Sequence, residues 1–360
     1  MRDRQPPRKF VRPSLRELQP YTPGEQPKSR ALIKLNTNEN PYPPPASVLQ
    51  ALRELPGDRL VRYPDPVALE LRETAGALFG CGPEHVIATN GSDELLRLVL
   101  TAFVEPGAKV VLPDVTYSLY ETLIAIHGAT VERVPLRPDF RFDEALADAP
   151  GQLMFLCHPN APTGLPAEPA LVEAVLDRFQ GLVAIDEAYA DFADYSYVRE
   201  LPRRRDNVIV MRTLSKSYGL AGMRVGLGVA NPGLIETLMA VKDSYNLDVA
   251  AQVTATAALR DQAALTESLV KITATRARLI AALRQLGLAP FPSQANFVFV
   301  RAGSRARARG LWEALRADEI LVRYFDRPRV DDCLRISVGT DAQIDRLLAR
   351  LELHLPRLSA

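Results

Sequence analysis

The stretch Thr213-Leu214-Ser215-Lys216-Ser217-Tyr218-Gly219-Leu220-Ala221-Gly222-Met223-Arg224-Val225-Gly226 decides how this chain is read. It joins two short apolar strand candidates, 207–212 and 225–230. A lysine set among small and hydroxyl residues, with Arg224 eight positions on, reads as an amine nucleophile beside an anion site. A desolvated lysine near other cations has a lowered pKa and can form a Schiff base. Alone, a lysine in a Gly-rich loop reads more simply as solvent-facing, because lysines are mostly exposed.

Outward from this stretch, short apolar runs alternate with helical spacing. Strands are expected at 86–89, 109–113, 130–134, 153–157, 182–186, 207–212 and 225–230, with helices at 46–55, 67–79, 93–103, 119–127 and 168–179. Strands bounded by helices predict an α/β fold, here a mostly parallel seven-stranded sheet covered on both faces. Beyond about Tyr245 the texture changes. Long helices over 249–286, strands at 296–301, 320–323 and 334–338, and a last amphipathic helix at 342–353 predict a smaller α+β domain. The organisation expected is an N-terminal arm at 1–35, a large domain at 36–247 and a small domain at 248–360. The arm carries Pro6, Pro7, Pro13, Pro20, Pro23 and Pro27.

Ligands of parallel α/β sheets bind beyond the carboxyl ends of the strands. Four expected strand ends carry unusual polar residues. The strand at 182–186 ends in Asp186, followed by Glu187, Ala188 and Tyr189. A buried Asp there needs a positive or donor partner; the plainer reading is a turn cap. The strand at 207–212 runs into Lys216. The strand at 86–89 runs into Asn90-Gly91-Ser92-Asp93-Glu94, with Ser92 as an expected N-cap. Free N–H groups at a helix start can hold a phosphate, though most caps hold no ligand. The strand at 153–157 runs into His158-Pro-Asn160-Ala-Pro-Thr163-Gly164, a rigid turn. No nucleotide phosphate-loop pattern is present. Together these residues supply a Lys for a Schiff base, an Asp for a ring nitrogen, and a Tyr and an Asn for a phenolic oxygen. A helix start with an Arg serves a phosphate. That inventory fits pyridoxal phosphate.

Composition excludes other classes. The 360 residues are 47% hydrophobic and 24% charged, with 44 Lys+Arg against 43 Asp+Glu and a net charge of +1. A near-neutral chain is a poor nucleic-acid binder. Three scattered cysteines, Cys81, Cys157 and Cys333, and four histidines without ligand spacing argue against a disulfide framework or a metal site. No apolar run approaches the ~18 residues of a membrane span, and no apolar stretch of a secretory signal follows the basic start. A reducing cytoplasm is expected.

The sequence resembles the fold-type I pyridoxal-phosphate aminotransferases, and within them the histidinol-phosphate aminotransferase family. The likeness runs through Pro20-Tyr-Thr-Pro-Gly-Glu-Gln, Leu35-Asn-Thr-Asn-Glu-Asn-Pro, Arg62-Tyr-Pro-Asp-Pro and Asn90-Gly-Ser-Asp-Glu. It continues through His158-Pro-Asn-Ala-Pro-Thr-Gly, Asp186-Glu-Ala-Tyr, Ser215-Lys-Ser-Tyr-Gly-Leu-Ala-Gly-Met-Arg, Ile320-Leu-Val-Arg-Tyr-Phe and Leu334-Arg-Ile-Ser-Val-Gly-Thr. The resemblance implies transamination between L-histidinol phosphate and 2-oxoglutarate in histidine biosynthesis, giving imidazole-acetol phosphate and glutamate. Lys216 would carry the cofactor and shuttle a proton, and Asp186 would keep the pyridine nitrogen protonated. Tyr189 and Asn160 would bind the phenolic oxygen, and Tyr117 would stack on the ring. Gly91, Ser92, Thr213, Ser215 and Arg224 would hold the phosphate. Tyr63 would reach the phosphate in a neighbouring subunit, making the site a homodimer property. Arg335 and Arg323 would bind the substrate anion, helped by Tyr21, Asn38 and Asn160, because the planar guanidinium matches a carboxylate or phosphate.

Two positions depart from the family pattern: His158 stands where an Asn is usual, and Ala161 where a second Asn is common. Arg203-Arg-Arg205 reads as a solvated loop, the cluster Arg301, Arg305, Arg307 and Arg309 as a solvated face, Leu311, Trp312 and Leu315 as core, and the cysteines as buried and inert. Alternatives are an aromatic amino-acid aminotransferase of the same branch, or an amino-acid-phosphate decarboxylase on the same fold. A cofactor sensor fused to a DNA-binding module would need a further N-terminal domain.

Overall fold

The protein is described here from a computed structural model covering residues 10–18, 20–21, 24–26 and 32–358. Of the expected arm, Pro6, Pro7, Pro23 and Pro27 lie outside the described residues. Within it, Pro13–Leu15 form a 3-10 turn and Ile33–Lys34 form β1.

The large sheet contains β2 (Val86–Asn90), β3 (Lys109–Pro113), β4 (Thr130–Val134), β5 (Leu153–Cys157), β6 (Leu182–Asp186), β7 (Val208–Thr213) and β8 (Val225–Ala230). Their order across the sheet is β2-β8-β7-β6-β5-β3-β4. Every strand lies within one residue of its expected range. Side chains alternate between two apolar layers: Ile87, Val110, Phe155, Ala184 and Ile209 fill one, Val86, Val111, Met154, Val183 and Val208 the other. Burial on both faces is why these strands read as unbroken apolar runs rather than as alternating ones.

Strands β3 to β7 pair in parallel, whereas β8 is antiparallel to both β2 and β7. That reversal makes β2 run in the direction of β7. The carboxyl ends of β2, β3, β5, β6 and β7 therefore share one edge of the sheet.

The smaller C-terminal domain contains β9 (Ala289–Pro290), β10 (Phe297–Arg301), β11 (Ile320–Leu321), β12 (Arg323–Tyr324) and β13 (Cys333–Ser337). Four of these form an antiparallel sheet in the order β12-β13-β10-β9. The single strand expected at 320–323 is broken at Val322. Its first half pairs with β1 and its second with β13, so two different partners claim the two halves. The long helical stretch is divided at Asp261, whose side chain caps the second helix by accepting from Ala264 N at 3.2 Å.

Three α-helices among the described residues fall outside the expected ranges, the shortest being Leu201–Arg204. Pro232–Val241 opens on an Asn231 cap and Pro232 in the first turn, a start signal present in the sequence. Arg305–Ala317 buries Ala308, Leu311 and Leu315 on one stripe, with Ser304 as its cap. Arg305 and Arg309 lie on the solvated face of this helix and are ion-paired there, whereas Arg301 ends β10. Arg305 meets Asp326 at 2.7 Å, Arg309 meets Glu313 at 3.0 Å and Arg301 meets Asp332 at 2.7 Å. Arg204 and Arg205 both reach Glu173 at 2.5 Å. Leu311 and Leu315 are core, and Trp312 stacks on Tyr324. Cys157 and Cys333 are buried, but Cys81 is only half-buried. No helix among the described residues is long and apolar enough to cross a membrane.

Candidate active site

A cavity of about 760 Å³ opens where the strand ends converge. Its wall includes Tyr21, Asn38, Ser92, Tyr117, Asp186, Tyr189, Thr213, Ser215, Lys216, Arg224, Arg323 and Arg335. Ser92, Asp186, Tyr189, Lys216 and Arg224, expected from residue type and strand ends, meet here with Tyr21, Asn38, Tyr117, Arg323 and Arg335, which the family resemblance implied.

Lys216 sits just past the end of β7, half-buried, its Nζ donating to Thr37 O at 3.2 Å. Burial, reinforced by the positive field of Arg335, pulls its pKa down to about 8. An amine so depressed is partly neutral near pH 7–8, the form in which it is a nucleophile.

Asp186 ends β6 and is 4% exposed. Burial raises its pKa, and two donors oppose that rise: Tyr120 Oη at 2.6 Å and Ala188 N at 3.1 Å. Tyr189 packs edge-on against Phe297, 5.8 Å from the Lys216 Nζ. Asn38 Nδ2 donates to the Tyr189 hydroxyl at 3.0 Å, which leaves that hydroxyl its own proton to give. Asn38 is itself held by Ser337 and Asn296, in a left-handed backbone conformation.

Asn160 is not brought to the cavity wall. It is fully buried, and its Nδ2 hydrogens go to Val115 O at 2.9 Å and Thr163 Oγ1 at 3.2 Å. Its Oδ1 accepts from Thr116. The amide is committed to bracing the loop beneath Tyr117. Ser92 is not an N-cap either: the helix Gly91–Phe103 begins one residue earlier, with Asn90 in the cap position and no side-chain cap bond.

That uncapped helix start faces Thr213, Ser215 and Arg224. Ser215 Oγ receives Arg224 Nη1 at 3.4 Å and Thr213 Oγ1 at 3.1 Å. A Cβ on Gly91 would lie 2.5 Å from Arg224 Nη2, and one on Gly226 would lie 2.6 Å from Ser92 N. The absence of side chains at both glycines is what lets the guanidinium and free N–H groups approach one another. A cradle of helix-start donors, two hydroxyls and an Arg is built for a phosphate.

Opposite this cradle, Arg323 of β12 and Arg335 of β13 are direct cross-strand partners. Like charges facing each other across a ladder are destabilising unless an anion joins them. Arg335 has a buried Nε without a hydrogen-bond partner, and the neighbouring Asn36 has an unpartnered Oδ1. Tyr21 meets Tyr117 edge-on at 5.8 Å, closing the wall between the two anion sites.

Residues 30–351 match the family described as aminotransferase class I and II. The chain belongs to the class I and II aminotransferases. It is 48% identical over 342 residues to the histidinol-phosphate aminotransferase of Synechocystis sp., covering 94% of this chain and 96% of that one. Its likeness to the same-named protein of Microcystis aeruginosa is 45%, covering 95% and 97%. Among solved structures, histidinol-phosphate aminotransferase of Sinorhizobium meliloti in complex with pyridoxal-5'-phosphate superposes with a TM-score of 0.82 at 32% identity, over 91% and 92% of the two chains.

Sequence reasoning missed two residues of this aminotransferase site. Tyr120 reads as helix core, and Arg212 as the end of an apolar strand. Arg212 is 6% exposed and contacts Glu187 Oε2 at 3.1 Å and the Asp191 carboxylate. Ser217 Oγ also donates to Asp191. Glu187 follows Asp186 in the chain and Ser217 follows Lys216, so one guanidinium ties the neighbours of both groups.

His158, where the aminotransferase pattern has Asn, is fully buried. Its Nδ1 accepts from Ala167 N at 3.1 Å, Nε2 faces Tyr195 O at 3.2 Å, and its ring stacks on Tyr195. Burial pushes its pKa down to about 4. The unfolded chain takes up this proton near pH 6.5 and the folded one does not until about pH 4, so stability present above pH 6.5 is lost as pH falls toward 4. Between pH 8 and pH 5 this one group costs about 2 kcal/mol. In His158→Asn that component is expected to vanish. Urea unfolding of both proteins at the two pH values checks it; an equal pH dependence would contradict it.

Proposed function

We propose that this aminotransferase moves the amino group of L-histidinol phosphate to 2-oxoglutarate in histidine biosynthesis, with pyridoxal phosphate as cofactor. The observation that carries this reading is the near full-length likeness to the Synechocystis protein, supported by the facing pair Arg323 and Arg335. The residues fit the cofactor. The Gly91–Ser92 helix start, Thr213, Ser215 and Arg224 would hold its phosphate, Tyr117 would lie against its ring, Asp186 would pair its ring nitrogen, and Tyr189 would bind its phenolic oxygen. Asn160 would act indirectly, by fixing the loop under Tyr117.

Bound pyridoxal phosphate supplies a sink for the electron pair left when the substrate α-carbon loses its proton. Lys216 Nζ takes that proton and returns it on the cofactor side, a role its lowered pKa suits. Asp186 holds a proton on the ring nitrogen through its negative charge. Arg323 and Arg335 fix the far end of the substrate, first a phosphate and then a carboxylate, with Tyr21 and Asn38 lining the way. A phosphate dianion gives two facing guanidiniums more charge to share than the single α-carboxylate of an aromatic amino acid would, which agrees with the relatives' names.

Tyr63 is 79% exposed and stacks on Tyr245 at 4.3 Å, beside Leu60 at 65% and Val61 at 82% exposure. An apolar strip of this kind marks a protein contact. We place a second copy of the chain there, with Tyr63 reaching the partner's phosphate site; a monomer by light scattering would overturn it. We also propose domain limits at 1–35, 36–247 and 248–360, and a cytoplasmic location.

The decisive experiment mixes the cofactor-loaded protein with L-histidinol phosphate and no acceptor, and follows the cofactor's visible absorption. Rapid loss of the band with histidinol phosphate and slow loss with phenylalanine are expected. The reverse order would overturn the reading.

A further inference from the structure

We infer that Tyr120 is a positioning residue of this site, its hydroxyl holding the Asp186 carboxylate ionised and aimed at the cavity. The inference rests on the proposed pairing of Asp186 with the cofactor's ring nitrogen. Tyr120 is fully buried in the helix Leu119–His127, a turn beyond Tyr117. Its ring stacks on Phe155 of β5 at 4.9 Å and meets Tyr117 edge-on at 5.4 Å. Both contacts fix where the hydroxyl points, and it points at Asp186 Oδ2, 2.6 Å away.

The groups around Asp186 explain why a hydroxyl is needed. Lys216, beyond β7, favours its charge, while Asp93, on the helix after β2, opposes it. Cys157 is its register partner on β5 and carries a thiol that burial keeps protonated. No ion pair reaches Asp186 among the described residues. Its two oxygens have one neutral donor each, Tyr120 at short range and the Ala188 N–H at 3.1 Å. Neutral donors stabilise a buried carboxylate without cancelling its charge. A cation at Tyr120 would satisfy Asp186 and blunt its pull on a ring nitrogen; a phenylalanine would leave one oxygen bare. Tyr120 also titrates far above physiological pH, so its proton stays available for donation.

The test is Tyr120→Phe, which keeps the ring and its stacking, made in the wild-type and Asp186→Asn backgrounds and loaded with pyridoxal phosphate. Two quantities are read: the rate of cofactor loss on dilution, and the pH at which the visible absorption band titrates. In the wild-type background, Tyr120→Phe should speed cofactor loss about tenfold or more, the size of a lost hydrogen bond to a charged group. The titration should move upward by about one pH unit. A ring nitrogen that holds its proton less firmly opposes protonation of the Lys216 nitrogen less. In Asp186→Asn the same substitution should add little, because residues acting through one another are not additive. Equal effects in both backgrounds, or a Tyr120→Phe protein with wild-type retention and titration, would overturn the inference alone. A wild-type protein that takes up no pyridoxal phosphate would overturn the functional reading with it.

Discussion

Lys216→Ala is expected to fold normally and to lose about 10⁴-fold or more in turnover, because one amine both attaches the cofactor and carries the proton. The folded state gives up little. The amine makes one hydrogen bond, to Thr37 O, and stands in the positive fields of Arg335 and Arg224. Glu39 and Asp93 favour its charge against those two, and burial disfavours it most, so the unfolding midpoint should change little. The cradle at Gly91, Ser215 and Arg224 and the arginine pair remain, so the variant should still bind substrate. Steady-state rates beside a denaturation curve separate the two effects. Turnover within tenfold of wild type would sink the mechanism.

Arg212→Leu should be the most destabilising single change in the site, by about 3–5 kcal/mol. The guanidinium lies between Glu187, whose side chain is fully buried, and Asp191. Ser196 also donates to Glu187, at 2.6 Å, and Ser217 donates to Asp191. Taking away the cation leaves two carboxylates with hydroxyl donors but no countercharge, in a place that disfavours charge. With total stabilities of about 5–15 kcal/mol, such a loss is a large share. Arg212→Lys should recover part of it, since the charge returns without the planar fork that spans two carboxylates. Denaturant midpoints of the three proteins report the order. A leucine variant as stable as wild type would mean that Arg212 does not carry the network.

The main sheet and the Ser92, Asp186, Tyr189, Lys216 and Arg224 part of the cavity wall could be read from residues, whereas Tyr21, Asn38, Tyr117, Arg323 and Arg335 followed from the family resemblance. Buried parallel strands are unbroken apolar runs, and a polar residue of unusual type at the end of such a run stands out; Asp186 and Lys216 were found that way. What escaped depended on partners distant in sequence. The Tyr120 hydroxyl finds Asp186 sixty-six residues away, and within its own helix it is one more core position. Arg212 was visible as a charge inside an apolar strand, but its carboxylates lie on another loop. Asn160 was assigned to the ligand from its place just past a strand end and from the family motif, yet its amide hydrogens go to Val115 and Thr163. The break at Val322 follows from competition between β1 and β13 for one strand, which no local pattern records.

The reversal of β8 has a consequence for how such a chain can change over time. Because β2 and β7 run the same way, the chemistry gathers at one rim of the sheet, and the opposite rim carries only connections. There lie the turns at Gly107–Ala108, Gly151–Gln152, Gln180–Gly181 and Asp206–Asn207, together with Asn231 after β8. Insertions, deletions or new chain ends at that rim leave the placement of Lys216, Asp186 and the arginine pair intact. Length variation and added modules can accumulate there, whereas the catalytic rim can change only by exchanging one side chain for another.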